Sequence, residues 1–202
     1  MNAARTRWRP GAGWPVLALR ARLLAAAREW FSAHAITEVD TPVLTPRGVT
    51  DPNIESVRAE LAATPGRRWF LHTSPEYAMK RLLAAGAPDI YQICHVFRDG
   101  EHGRCHQPEF TLMEWYRHGQ DLDAAVADTL SLLQTLLAPC RGKPATVVRR
   151  HRDAFLETTG IDPLTADDPA VVAAAAASGG GEAVSDRDAA LDFLMGTRVA
   201  PA

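Results

Sequence analysis

Residues 91–117 read YQICHVFRDGEHGRCHQPEFTLMEWYR, and the fold class follows from how this run alternates. Ile90 to Phe97 is rich in β-branched and aromatic residues, which predicts a strand. Arg98 to Gln107 is a loop with two glycines, two arginines, two histidines and two acids. Phe110 to Arg117 predicts a second strand. Alternation puts Phe110, Leu112, Glu114 and Tyr116 on one face, and Thr111, Met113, Trp115 and Arg117 on the other. An acid such as Glu114 among apolar neighbours is costly unless a cation meets it. A sheet face that ends beside an acid, under a basic loop, has the parts of a cavity that takes an anion at one end and an ammonium at the other.

Upstream, residues 1–15 hold Pro10, Gly11, Gly13 and Pro15 and are expected to form a disordered arm. Leu19, Leu23, Ala26, Ala27, Trp30 and Phe31 recur at helical spacing, which predicts a helix over 16–34. Its stripe reads as a core face, or as a share in a subunit contact. Ile36 to Val39 runs extended towards Pro42, which limits pairing to an edge. Residues 43–53 are a loop, Ile54 to Leu61 a strand, and Trp69 to His72 a short buried strand. A helix follows, in one of two registers. Thr73 as cap makes a capping box with Glu76; Ser74 as cap puts Pro75 at the first helical position. Glu76 then reads either as a cap or as a carboxylate facing a pocket.

Downstream, Asp121 caps a helix whose Leu122, Val126, Leu130, Leu133 and Leu137 read as a core stripe. Arg149, Arg150, His151 and Arg152 form a basic run, which reads as a solvated face or a contact for a polyanion. Three shorter helices complete the chain, over 154–159, 169–178 and from Ser185 to near Gly196. This tail carries little chemistry and is expected to be peripheral.

The chain has 202 residues, 47% of them hydrophobic, with a net charge of -2 and a pI of about 6.4. A dedicated nucleic-acid binder is usually strongly basic, so that class is disfavoured. No apolar run reaches the roughly 18 residues of a membrane span, and the basic start lacks an apolar signal core. Cytoplasmic is therefore the default. Cys94, Cys105 and Cys140 make an odd count without a CxxC pair, so no disulfide framework is expected. His102, Cys105 and His106 read as a polar loop rather than a metal cluster, because structural zinc takes four ligands. Cys94 reads as a core residue.

Three segments together resemble the class II aminoacyl-tRNA synthetases of the lysine type. REWFSAHAITEVDTPVL resembles their motif 1, TSPEYAMKRLL their amino-acid-binding loop and helix, and FRDGEHGRCHQPEFTLMEWYR their motif 2. The phrase PEFTLMEWYR and the short N-terminus are most similar to the paralogues of lysyl-tRNA synthetase that modify elongation factor P. The resemblance covers 20–160 well and implies an α+β domain: an antiparallel sheet flanked by helices, with the first helix at a two-fold homodimer contact. The expected organisation is an arm (1–15), a catalytic core (16–165) and a peripheral helical segment (166–202). About 15 residues precede the first helix, too few for an anticodon-reading barrel of around five strands. The implied acceptor is thus a lysine of elongation factor P, with tRNA disfavoured.

The chemistry the resemblance implies is adenylation of lysine or (R)-β-lysine by ATP with Mg2+. Arg98 takes the catalytic position, its planar fork suiting an α-phosphate and a carboxylate. Asp99, Gly100, Glu101, Arg104, His106, Gln107 and Phe110 are the further ATP-binding candidates. Arg104 and His106 face either the distal phosphates or the adenine, and Phe97 and Phe110 frame the loop. Ser74, Pro75, Glu76, Glu114 and Tyr116 are the substrate-binding candidates. Two departures stand out. Gly100 occupies a position where the family usually has a nucleotide-contacting glutamate, so either Glu101 takes over or the contact is lost. Gln107 stands where asparagine is usual. Motif 3 and the late metal-ligating acids are not found in the 202 residues, so the Mg2+ ligands are expected mostly beyond residue 202. The alternatives are a non-catalytic, synthetase-like binding module and a lysine–tRNA ligase core.

Overall fold

A computed structural model describes residues 10–104, 106–142, 145–180 and 184–201. The arm expected over 1–15 therefore lies, for residues 1–9, outside the described residues, as does Cys105. Two compact units form, Met1–Pro144 and Ala145–Ala202. The first opens with α1 (Trp14–Ala33) and continues with β1 (Thr37–Glu38), β2 (Leu44–Thr45), β3 (Arg58–Ala59), β4 (Trp69–Leu71) and α2 (Glu76–Ala84). It ends with β5 (Ile90–Phe97), β6 (Glu109–Tyr116) and α3 (Leu122–Arg141).

Two three-stranded sheets result, ordered β1-β5-β6 and β2-β4-β3. All pairs are antiparallel except β1 with β5. The architecture is mixed α+β. The β5–β6 register pairs Gln92 with Glu114, Cys94 with Leu112 and Val96 with Phe110. Cross-strand partners point to the same side, so the face expected for Glu114 is the one it takes. The opposite face packs on α1. There Phe31 is fully buried, stacked on Tyr91 at 3.9 Å and tilted against Trp115 at 5.7 Å. Trp30 meets Phe31 edge-on and donates its indole N–H to Ser131 of α3. Ile93, Met113 and Leu136 complete this core.

Four expectations are corrected here. The stripe of α3 is not the one expected: Leu132 and Leu136 pack on α1, whereas Leu122, Leu133 and Leu137 are exposed. Leucines on two sides of one helix leave periodicity unable to choose. The strand expected over 54–61 shrinks to Arg58–Ala59 plus a bridge from Glu55 to Asp99. The Thr73–Glu76 capping box does not form. Nor does Ser74 take the cap with Pro75 as the first helical residue: Pro75 itself is the N-cap, before Glu76, and the Ser74 hydroxyl accepts the Glu76 N–H at 3.0 Å from just outside the helix. Cys94 is half-buried rather than core.

The second unit holds α4 (His151–Thr159), α5 (Asp168–Ala177) and α6 (Arg187–Leu194), followed by a wide turn, Met195–Val199. Phe155, Val171, Ala175, Ala190 and Leu194 form its core. Gly180 is held close to α5; a Cβ there would meet Val184 at 2.9 Å and the Ala175 carbonyl at 3.0 Å. The basic run is largely paired within the unit, Arg149 with Glu157 and Arg152 with Asp162. The Arg152 guanidinium and the Leu164 N–H hold the Asp162 carboxyl down at about 2. A carboxyl depressed on folding stabilises the fold above its unfolded value and loses that contribution as pH falls through the folded one. Acid titration should accordingly weaken the second unit between about pH 4 and pH 2, and Asp162→Asn should flatten that segment of the stability–pH curve.

Among the described residues no helix is long and apolar enough to cross a membrane.

Candidate active site

The hairpin face, the N-terminus of α2 and the segment Val49–Ile54 enclose a cleft of about 960 Å³, near the upper end of the roughly 300–1,000 Å³ usual for small-ligand sites. Glu114 projects into it from β6 because residues 112, 114 and 116 share that face. Each of its oxygens is already positioned. The Ser74 hydroxyl donates to Oε2 at 2.6 Å and the Tyr116 hydroxyl donates to Oε1 at 2.6 Å. Ser74 therefore has two tasks: it accepts the Glu76 N–H that starts α2 and orients the carboxylate of β6. Burial, then the hydrogen bond to Glu114, pushes the Tyr116 phenol far above its ordinary value. The phenol stays protonated and donates at any physiological pH. Pro75 is fully buried and fixes the turn between Ser74 and Glu76.

Glu76 faces the same cleft but has a partner already. The ammonium of Lys80, one helical turn on, binds its Oε1. The lysine proton is held more tightly than usual, first through Glu76 and, more weakly, through Glu114. Lys80 lies within TSPEYAMKRLL, a segment whose resemblance gives it no role. The i,i+4 spacing from Glu76 was the available signal.

Arg98 lines the cleft from the end of β5. Its backbone N–H is tied to the Pro108 carbonyl at 2.9 Å, and its Nε reaches the Thr73 carbonyl at 3.4 Å. The guanidinium lies over the Phe110 ring, 5.2 Å from the centroid. Among the described residues it has no carboxylate within ion-pair distance, so its charge is open to an anion. Arg98 also borders a smaller hollow of about 280 Å³ with Asp99, Gly100, Glu101 and Glu55. Asp99 is fixed there by its N–H to the Glu55 carbonyl at 2.9 Å. Gly100 sits at φ +80°, a conformation that disfavours any other residue. The glycine in place of a glutamate is thus built into the turn, and Glu101 beside it is half-buried.

Arg104, His106 and Gln107 are exposed, and the Gly103 N–H to the His106 carbonyl closes that turn. Phe97 falls on the His95 face of β5 by alternation, away from Phe110, so the two rings do not frame one cavity. The segment Val49–Ile54, read from sequence only as loop, forms one wall. It is strapped down by the Thr50 hydroxyl against the Tyr77 hydroxyl at 2.8 Å and by the Val49 N–H to Ser56 at 3.0 Å. A second cavity of about 220 Å³ shares Val49, Thr73, Ser74 and Tyr77 with the cleft. Its lining includes Arg47 and Arg81 but no acid, so it does not suit an ammonium. Among the described residues no group of three or more His, Cys, Asp or Glu is arranged to hold a metal.

Cys94 sits on the cleft face of β5, opposite Leu112. Burial, with a smaller contribution from Glu114, pushes its thiol up to about 11.

Among the described residues, the cleft pairs a fixed carboxylate with a guanidinium that lacks an acid partner. Residues 12–162 match the family model "tRNA synthetases class II (D, K and N)". The elongation factor P–(R)-β-lysine ligase of Actinobacillus succinogenes is 40% identical over 199 residues, 96% of this chain and 60% of that protein. The ligase of the same name from Pasteurella multocida is 41% identical over 198 residues, again 96% and 60%. The chain thus spans about 60% of the length of these relatives. Among solved structures, asparaginyl-tRNA synthetase from Pyrococcus horikoshii, complexed with asparaginyl-adenylate, superposes with a TM-score of 0.54 at 20% identity. The match covers 60% of this chain and 27% of that one. On the family match and the shared fold, this chain belongs to the class II tRNA synthetases of the D, K and N group.

Proposed function

We propose that the cleft binds lysine or (R)-β-lysine and that the protein activates it with ATP as an aminoacyl adenylate. A substrate carboxylate oxygen attacks the α-phosphorus, and pyrophosphate leaves with the bond electrons. The observation that carries this reading is Glu114, held by Ser74 and Tyr116, in one cleft with an Arg98 that has no acid partner among the described residues. A dibasic amino acid offers ammonium groups to Glu114 and Glu76 and its carboxylate to Arg98. The transition state gathers charge on phosphoryl oxygens, which a fixed guanidinium stabilises more than it does the ground state. Asp99, Gly100 and Glu101 then border the nucleotide, with Phe110 behind Arg98. Arg104, His106 and Gln107 reach the phosphates only if their loop folds inward on ATP.

The relatives' name supports elongation factor P as the partner that receives the amino acid; our reading puts the transfer on one of its lysines, in the cytoplasm. We assign activation to residues 16–165 and a peripheral role to 166–202. The exposed Trp14, Val16 and Leu17 at the start of α1 suit a homodimer contact. The test is pyrophosphate exchange into ATP dependent on lysine or (R)-β-lysine, measured with a chain extended to the relatives' length. Exchange with either amino acid supports the proposal. Binding of both substrates without exchange favours a non-catalytic module.

A further inference from the structure

Two carboxylates, Glu76 and Glu114, line one cleft, yet they are not equivalent. Glu114 is held by two neutral hydroxyls and meets no cation among the described residues. Glu76 carries the Lys80 ammonium. Lys80 itself lines the cleft, so the ion pair faces the ligand space rather than only the outer surface of α2.

We propose that Lys80 is an internal stand-in for a substrate ammonium: it neutralises Glu76 in the empty cleft and is displaced when a ligand brings a second amine. This rests on the reading of the cleft as a diamino-acid site. Without Lys80, two carboxylates would line one cavity with Arg98 as the cation left in its lining among the described residues, and the Lys80 charge, which feels both acids, would no longer offset their repulsion. With it, the empty site presents one carboxylate ready for a cation and one already occupied. A ligand with a single ammonium settles on Glu114 and leaves the pair intact. A diamino acid must exchange its second ammonium for Lys80 on Glu76. The exchange is feasible because the pair is partly exposed, with 57% of the lysine side chain and 44% of the glutamate side chain accessible, and exposed pairs of this kind hold weakly. Lys80 thus sets how much the second amine contributes to selection.

Calorimetric titration of the native chain, Lys80→Met and Lys80→Arg with L-lysine, (R)-β-lysine and 6-aminohexanoate tests this. The last ligand keeps the distal ammonium and carboxylate but has no second amine. Lys80→Met should bind lysine about two- to five-fold tighter, the range an exposed ion pair represents, with 6-aminohexanoate unchanged. Lys80→Arg should behave as the native chain. A purely structural lysine predicts otherwise: Lys80→Met would leave lysine affinity unchanged, weaken it, or shift both ligands alike, and any of these overturns the proposal. If the native chain binds none of the three ligands, the diamino-acid reading of the cleft fails, and the role of Lys80 fails with it. A native chain that binds lysine, with the ratio of affinities unmoved in Lys80→Met, sinks only the role of Lys80.

Discussion

Arg98→Ala should lower lysine-dependent pyrophosphate exchange by about 10²-fold or more, equivalent to about 3 kcal/mol of transition-state stabilisation. The reason is geometric. The guanidinium is set by the Pro108 carbonyl on its backbone, the Thr73 carbonyl on its Nε and the Phe110 ring beneath it. None of these neighbours is an anion, so none neutralises it. A charge fixed before the reaction begins acts on the phosphoryl oxygens without reorganisation. The loss should fall mainly on kcat, because charge on those oxygens grows towards the transition state. Arg98→Lys should recover only part of the rate, since an ammonium cannot span two oxygens as the planar fork does. An unchanged rate in Arg98→Ala would remove this residue from the reaction.

The second large effect concerns the scaffold. Phe31→Ala is expected to destabilise the first unit by about 3–5 kcal/mol, the usual range for a buried phenyl. Phe31 has no exposed surface and touches Trp30, Tyr91 and Trp115. It joins α1 to the face of the hairpin opposite the cleft, so its removal leaves a cavity directly behind the sheet that carries Glu114. Leu133→Ala is the matched control. Leu133 belongs to one of the two stripes that periodicity allows, the one expected to be core, yet it is 44% exposed. Its loss should change stability by well under the Phe31 effect, within about 0.5 kcal/mol of zero. Urea denaturation of the two variants measures both, and a Leu133→Ala loss as large as that of Phe31→Ala would contradict the packing of α3 described here.

That pair of residues also marks where sequence reading succeeds and where it stops. The hairpin was legible because period-2 alternation has only two solutions, and a single acid among apolar residues picks out the cleft side. The placement of Ser74, Glu114 and Tyr116 in one cluster follows once the strand parity and the turn at Pro75 are known. The α3 stripe was not legible because leucines at 130, 132, 133, 136 and 137 satisfy two helical faces at once. Only the partner, Trp30 on α1, decides between them. The wall formed by Val49–Ile54 has no periodicity to read; its place depends on the Thr50–Tyr77 and Val49–Ser56 hydrogen bonds, which are tertiary. Lys80 was visible as the fourth residue after Glu76, but its bearing on the site appears only when Glu114 is found across the same cleft. Gly100 illustrates a further limit. From sequence it is a missing glutamate, whereas in three dimensions it is a turn at φ +80°.

The central claim is that the acid held by Ser74 and Tyr116 receives an ammonium while Arg98 meets the carboxylate or phosphate of the same reaction. A crystal of the chain soaked with lysine and a non-hydrolysable ATP analogue tests it most directly. The expected density places a lysine ammonium at about 2.7–3.2 Å from Glu114 and a phosphate or carboxylate oxygen at a similar distance from the Arg98 guanidinium. Lysine bound elsewhere, or Arg98 turned away from the cleft with both ligands present, would contradict the account.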